Sequence, residues 1–147
     1  MAVAVRTRPA RLEDAEAIAD LTTQLGYPVE APEQARRLAD VLADPDDHLV
    51  LVAVGAEDRP IAWIHLERLR YLEGPPAVQI NGLVVDVRHR SGGIGAQLLE
   101  AAEAWGRNRG CELISVRSRM ARERAHRFYE RAGYEHHKTS KVFRKPL

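Results

Sequence analysis

The sequence predicts a single domain, residues 1–147, of the mixed α/β class. Apolar residues recur at helical spacing in four segments and alternate or run together in six others. Three strand-like segments follow one another directly in the middle of the chain, which is typical of antiparallel pairing. A long helical segment then separates two strand-like segments, which is typical of a parallel crossover. The predicted order is therefore β-α-α-β-β-β-α-β-α-β.

The first third of the chain predicts one strand and two helices. Residues 2–7 alternate briefly and form the first strand. A first helix ends at Gly26, and a second begins near Pro32 and stops at the acidic turn of residues 44–47. The apolar positions that mark these helices are Leu12, Ala15, Ile18, Ala19 and Leu25 in the first and Leu38, Val41 and Leu42 in the second.

Three strands are predicted next. Residues 48–54 are a nearly continuous apolar run, which indicates a buried strand. Residues 61–70 alternate and pair with that run as an antiparallel hairpin across the turn at 55–60. Residues 77–87 form the following strand.

The rest of the chain predicts two helices, each followed by a strand. One face of the central helix carries apolar side chains, and Gly110 caps its end. Residues 111–118 form a strand, residues 122–133 a short helix capped by Gly133, and residues 138–143 a last strand. The apolar face of the central helix consists of Ile94, Leu98, Leu99, Ala102 and Trp105.

Composition excludes several classes of protein. The net charge is +1, so no global basic field indicates a nucleic-acid partner, and the mixed-charge run of residues 117–131 is expected to be a solvated helix face. No apolar run approaches the roughly 20 residues of a membrane span, and residues 1–14 lack the apolar core of a signal peptide. Cys111 is the only cysteine and is expected to be a small buried strand residue. A cytoplasmic protein is expected.

A glycine-rich turn separates the strand of residues 77–87 from the central helix. Eight positions, 88–95, carry three basic residues and three glycines. Glycines let a ligand approach the main chain, and a helix start offers unpaired N–H groups, so the turn predicts an anion site, most commonly for phosphate. A nucleotide P-loop would need Lys after Gly95, where Ala96 stands, and a dinucleotide motif would need glycine at Leu98.

Two blocks of sequence resemble the GNAT superfamily of acetyl-CoA-dependent N-acetyltransferases. Arg90-x-x-Gly93-x-Gly95, preceded by Leu83-Val84-Val85, is similar to the family's acyl-CoA pyrophosphate loop and the strand before it. About 30 residues later, "AHRFYERAGYE" resembles the family's second conserved segment. The resemblance covers almost the whole chain and implies a mixed, mostly antiparallel sheet of six to seven strands flanked by about four helices.

The resemblance implies acetyl-CoA as co-substrate and no metal. The main chain of the central strand would pair with the pantetheine arm, and the loop amides would hold the pyrophosphate. Arg122 replaces an asparagine common at that position and is expected to reach a CoA phosphate or to face solvent. The implied donor-binding residues are Leu83, Val84, Val85, Arg90, Ser91, Gly92, Gly93, Ile94, Gly95, Ala96 and Arg122.

Catalysis would follow from direct attack of an amine on the thioester. The amide N–H of Val84 or Val85 would stabilise the oxyanion, and Tyr129 matches the family's acid that protonates the thiolate. Gln79 stands where some members carry a glutamate base, so the base stays open. The candidates are His65, Glu67, Asn81 through a water, His136 and His137, whereas His48 and His126 are expected at the surface.

The acceptor is expected to be a small primary amine, because parts of the chain resemble the branch that acetylates aminoalkylphosphonates and aminoglycosides. Tyr27 and Glu30, between the first two helices, and Asn81 are the candidate substrate contacts. Two alternatives stay open: acetylation of a protein N-terminus or lysine, and an acyl-CoA-binding regulatory module with little turnover. A homodimer is a further possibility of the family resemblance.

Overall fold

The computed structural model describes residues 5–118, 120 and 122–147. The chain divides into two compact units, Met1–Arg117 and Ser118–Leu147. The first unit contains the sheet and three α-helices, and the second contains one α-helix. Within the described residues, no helix is long and apolar enough to cross a membrane.

The described part of the first unit forms a five-stranded sheet in the order β1-β2-β3-β4-β5. The first four strands pair antiparallel, and β4 pairs with β5 in parallel. The parallel pair is connected through a helix, as the sequence predicted. The strands are β1 Arg6–Pro9, β2 His48–Val54, β3 Pro60–Leu69, β4 Ala77–Val85 and β5 Leu113–Val116.

Helices cover the sheet and bury its apolar residues. Ile18 of α1 and Leu38 of α2 join Val50, Val52 and Val54 of β2 in one apolar cluster. Because strand side chains alternate between faces, the intervening residues of β2 and β3 face the opposite side, against which α3 packs. The helices are α1 Ala15–Leu25, α2 Ala31–Leu42, α3 Ile94–Asn108 and, in the second unit, α4 Glu123–Arg131.

The predicted fold class is confirmed, but the strand count was too high. Residues 134–147 contain no strand, whereas residues 138–143 were predicted to form one. Val142 and Phe143 are the large apolar side chains of that segment and are 69% and 89% exposed, so little burial offsets the entropy of ordering it. The first strand begins at Arg6, later than predicted, and residues 2–4 of the predicted strand lie outside the described residues.

Four residues differ from their predicted environments. Leu12 is half exposed because a 3₁₀ turn, Leu12–Asp14, precedes α1. Cys111 is half-buried and lies before β5, because its amide N–H donates to the carbonyl of Gly106 and closes the end of α3. His48 and His126 were expected at the surface and are half-buried.

An ion-pair cluster fastens β1 to the start of α1. Arg8 binds both carboxylate oxygens of Asp14 at 2.8 and 2.9 Å, and the amide of Arg11 donates to the same carboxylate. Burial raises the pKa of Asp14, but the hydrogen bonds from Arg8 and Arg11 outweigh burial and hold that pKa below its ordinary value. The side chains of Arg8 and Asp14 are only 13% and 6% exposed, so this is a largely desolvated pair.

Candidate active site

The glycine turn follows β4 through a capped 3₁₀ turn. Asp86 caps the turn Val87–His89 by accepting from the amide of Arg88 at 3.1 Å, and its carboxylate also binds the Arg88 guanidinium. Those hydrogen bonds hold the pKa of Asp86 below its usual range. Ser91 and Gly93 then adopt left-handed backbone, with φ of 69° and 81°. These two positive φ angles turn the chain into the first turn of α3.

The start of α3 presents main-chain donors. The amide of Gln97 is bonded to the carbonyl of Gly93 at 3.0 Å. The amides of Ile94, Gly95 and Ala96, which precede it, therefore have no acceptor within the helix. The positive end of the helix dipole adds to their attraction for an anion. The exposed Arg90 side chain belongs to the preceding turn, with Nε donating to the carbonyl of Val85 at 3.3 Å.

The second half of β4 has an open edge. Its parallel pairing with β5 covers Ala77 to Ile80, opposite Leu113 to Val116, and no further pairing at residues 81–85 exists on this side among the described residues. On the other side, β4 pairs with β3 as far as Val85. The main chain of residues 81–85 therefore offers hydrogen-bonding groups on the β5 side, where an extended ligand can add like a strand.

The register shows which amides of β4 face that edge. The amide of Asp86 donates to Ile61 of the neighbouring segment at 2.8 Å, so it points towards β3. Successive strand residues point to opposite sides, so Val84 also faces β3, while Leu83 and Val85 face the open edge. The bond from Arg90 to the carbonyl of Val85 agrees with this direction. Val84 or Val85 was predicted to donate to the oxyanion, and the amide of Val84 faces β3 in this ladder.

A β-bulge lies at the start of the open edge. Gly82 pairs with His65 and Ile80 pairs with Leu66, so Asn81 is an extra residue opposite β3. Bulges redirect side chains and end pairing, and they occur often beside active sites. Next to the bulge, a Cβ on Gly82 would come within 2.7 Å of the Trp63 ring, so only glycine fits against this indole.

Polar side chains form a chain across β2, β3 and β4 beside the bulge. Gln79 donates to Asn81 at 2.7 Å, and Asn81 donates to Glu67 at 3.0 Å. The other oxygen of Glu67 lies 3.6 Å from Nε2 of His48, and Nδ1 of His48 lies 3.0 Å from Nε2 of His65. The structure therefore joins three of the candidate bases, His65, Glu67 and Asn81, in one network.

His48 completes that network although its sequence position did not indicate it. It is opposite Glu67 in the β2–β3 ladder, and its ring stacks on His65 with 5.2 Å between centroids. Burial, followed by the charge of His48, lowers the pKa of His65 to about 4. His65 therefore stays neutral at physiological pH. Sequence reasoning missed His48 because only the cross-strand register of β2 and β3 brings it next to Glu67 and His65.

The predicted acceptor contacts Tyr27 and Glu30 lie on the connection between α1 and α2. Tyr27 is 49% exposed, and its amide donates to the carbonyl of Thr22. Glu30 is exposed and is the N-cap residue of α2, with its carbonyl accepting from the amide of Gln34. Asn81, the third predicted contact, is exposed at the bulge.

Tyr129 and Arg122 belong to the second unit. Arg122 is the N-cap residue of α4, and Tyr129 lies on that helix with its ring against Phe128 and Tyr134. Burial raises the pKa of Tyr129 to about 12, although the positive charge of Arg122 opposes the rise. The phenol is therefore fully protonated at neutral pH and is available as a donor.

Comparison with known proteins defines the class of the chain. The model of the acetyltransferase (GNAT) family matches residues 14–134. The chain belongs to this family and is an acetyl-CoA-dependent N-acetyltransferase, with acetyl-CoA as its co-substrate and an amine as its acceptor.

The chain is similar to aminoglycoside acetyltransferases of bacteria. Over 152 residues the chain is 30% identical to aminoglycoside N(6')-acetyltransferase type 1 of Stenotrophomonas maltophilia, covering 100% of this chain and 97% of that enzyme. The aminoglycoside 6'-N-acetyltransferase of Acinetobacter baumannii shares the fold with a TM-score of 0.84 at 17% identity, covering 98% of this chain and 99% of that one. Another aminoglycoside acetyltransferase, solved with a bisubstrate analogue of CoA and acetylneamine, has a TM-score of 0.84 at 21% identity, covering 98% and 99%.

Proposed function

We propose that this protein transfers the acetyl group of acetyl-CoA to a primary amine of an aminoglycoside, at the 6' position. The observation that carries the proposal is the similarity, along the whole chain, to an aminoglycoside N(6')-acetyltransferase. Aminoglycosides are polycations, and an acceptor site for them requires carboxylates near the acyl donor. Glu67 of β3, which accepts from the bulge residue Asn81, supplies one such carboxylate, and Glu30 is the candidate for a second carboxylate.

The donor end of the proposed site consists mainly of main-chain groups. The amides of Ile94, Gly95 and Ala96, together with the turn from Arg90 to Gly93, fit a pyrophosphate because they lack helical acceptors and carry the positive helix end. Leu83 and Val85 fit the pantetheine arm because their N–H and C=O groups face the open edge. Acetyl-CoA supplies an acetyl thioester at this edge.

An edge-facing amide also fits the oxyanion that forms during attack on the thioester. Leu83 directly follows Gly82, which pairs with His65 beyond the bulge, and its N–H lies on the edge that β5 leaves uncovered. A fixed donor aimed at a developing oxyanion contributes about 3–4 kcal/mol in enzymes where one has been removed. We therefore assign this role to Leu83 in preference to Val84, with Val85 as the next amide on the same edge.

Tyr129 is proposed as the acid that protonates the departing thiolate. The phenol has a pKa of about 12 and the thiol of CoA a pKa of roughly 8.5, so the proton transfer costs about 5 kcal/mol. That cost is well below the barrier of about 16 kcal/mol that corresponds to a turnover of roughly 10 per second. A raised pKa therefore lowers the efficiency of Tyr129 without excluding it.

The direct experiment measures CoA release from acetyl-CoA with a panel of amines. The panel contains neamine, spermidine, glucosamine-6-phosphate and a lysine-containing peptide. We expect neamine to be acetylated, with one added acetyl group located at the 6'-nitrogen by mass spectrometry and NMR. Preferential acetylation of the peptide would contradict the proposal and favour a protein acceptor. CoA binding without turnover on any amine would favour a regulatory module.

A further inference from the structure

Sheet stability alone does not explain the hydrogen-bonded network of polar side chains on one face of the sheet. Gln79, Asn81 and Glu67 are linked by hydrogen bonds of 2.7 and 3.0 Å, and His48 and His65 are linked at 3.0 Å. Apolar side chains fill the rest of this face, including Val50, Val52 and Val54 of the adjacent strand. Placing two imidazoles and a carboxylate here costs desolvation, which favours a functional explanation.

We propose that His48 and Glu67 form the proton-accepting subsite of this acetyltransferase, with His65 and Asn81 as the residues that position them. Glu67 binds the ammonium group of the acceptor, and Nε2 of His48 takes the proton that this nitrogen must lose. The inference rests on the proposed function in one respect, namely that the acceptor is a cationic amine.

One of the two possible directions of the His48–His65 hydrogen bond makes Nε2 of His48 the basic nitrogen. His65 is buried and neutral, so its Nε2 accepts a proton only through a shared hydrogen bond. When His48 carries its proton on Nδ1 and donates it to His65, the lone pair of His48 Nε2 is directed at Glu67, 3.6 Å away. A neutral imidazole with a free lone pair beside a carboxylate is a suitable proton acceptor, because the resulting imidazolium forms an ion pair with Glu67.

The surroundings of the pair are consistent with this assignment. The charges that act on His65 are those of His48 and Glu67. The nearest other carboxylate along the chain, Asp47, is bound by Arg68 and Arg70 at 3.0 and 2.8 Å. The side chains of His48 and Glu67 are 20% and 30% exposed, so an amine in solution reaches them.

The location beside the bulge connects this subsite to the acyl donor. Asn81, which holds Glu67, is the bulge residue and stands two positions before Leu83, whose amide faces the open edge. Glu67 is opposite Gln79 and accepts from Asn81, so an amine bound at Glu67 lies next to the start of the open edge that is assigned to the thioester.

The proposed proton transfer balances. The ammonium loses one proton to His48 Nε2, which releases it to solvent, and the neutral amine attacks the thioester carbonyl. The C–N bond forms and the C–S bond breaks. The nitrogen then loses its second proton, and the CoA thiolate gains one proton. The net products are the amide, CoA and one released proton.

Two substitutions separate proton acceptance from amine binding. His48→Gln is expected to lower kcat about 100-fold at pH 7 and to remove the acid limb of the pH profile of kcat/KM. Glu67→Gln is expected to raise the KM for the amine at least 10-fold with a much smaller change in kcat than His48→Gln, because it removes the carboxylate that binds the ammonium group. His136→Gln and His137→Gln test the two other candidate histidines, whose side chains are exposed in the second unit, and we expect unchanged profiles because the proton is accepted at His48.

The outcomes distinguish this inference from the proposed function. If the unaltered protein acetylates neamine and His48→Gln keeps both its kcat and its acid limb, the inference is wrong while the function stands. If His136→Gln or His137→Gln loses the limb instead, the base is in the second unit. If no amine is acetylated, the proposed function fails, but side-chain NMR of His48 and Glu67 during a titration with neamine still decides the inference. Shifted His48 and Glu67 signals support it, and unmoved signals contradict it.

Discussion

Replacing Gly93 with alanine tests whether the turn before α3 is an anion site set by backbone conformation. Gly93 has φ of +81°, and a Cβ added there would meet no atom within 4 Å. The cost of the substitution is therefore backbone strain rather than a clash, about 1–2 kcal/mol for a left-handed non-glycine residue. The turn is exposed, so the strained loop is expected to relax away from the conformation that presents the helix amides.

After that relaxation only a fraction of the molecules keeps the loop conformation that binds CoA, and the affinity falls in proportion to this fraction. A cost of 1–2 kcal/mol corresponds to a rise of about 5- to 30-fold in Kd, measured by calorimetry with CoA. Gly110→Ala is the matched control: Gly110 has φ of +74° at the other end of the same helix, and a Cβ there also meets nothing within 4 Å. We expect its Kd for CoA to be unchanged. A folded Gly93→Ala protein that binds CoA with unaltered affinity would show that the left-handed conformation at Gly93 does not contribute to CoA binding.

Two further predictions concern the proposed acid and the buried ion pair. Tyr129→Phe is expected to lower kcat at least 10-fold with little change in the KM for acetyl-CoA, measured by CoA release; unchanged turnover removes Tyr129 from the mechanism. Asp14→Asn is expected to cost about 2 kcal/mol in the free energy of unfolding by urea, because it removes the two-point carboxylate partner of the buried Arg8 and leaves Arg8 only its contact with Asp58. Asp20→Asn, which breaks an exposed pair with Arg59, should cost less than about 1 kcal/mol. The folded pKa of Asp14 lies below its ordinary 3.8, so this stability is present at neutral pH and is lost as the pH falls through the folded value. Equal losses of stability in the two variants at pH 7 would show that burial of the pair adds nothing.

The sequence was a good guide to elements whose signals are local. The run of residues 48–54 coincides with β2, the glycine turn opens α3, and Gly26 ends α1 with φ of 111°. Each of these depends on periodicity or on a backbone conformation that one residue type favours. The last predicted strand was wrong because a strand requires burial and a partner, and neither is encoded in residues 138–143 alone.

The candidate site divides in the same way. The turn that contains Arg90 and Gly93 was predicted from residue types and spacing. The direction of the amides of Leu83 and Val84 was not, because it depends on the β3–β4 register and on the bulge at Asn81. His48 was expected at the surface because its contacts with His65 and Glu67 exist only across strands.

We propose that acetyl-CoA binds along the open edge of β4 and against the first amides of α3. The most direct test of this proposal is a titration of ¹⁵N-labelled protein with CoA, followed residue by residue in amide NMR spectra. We expect large shifts for the edge-facing amides of Leu83 and Val85 and much smaller shifts for the amide of Val84, which faces β3. Large shifts are also expected for the amides of Ile94, Gly95 and Ala96. Equal shifts at Val84 and Leu83, or no shift at the start of α3, would contradict this proposal.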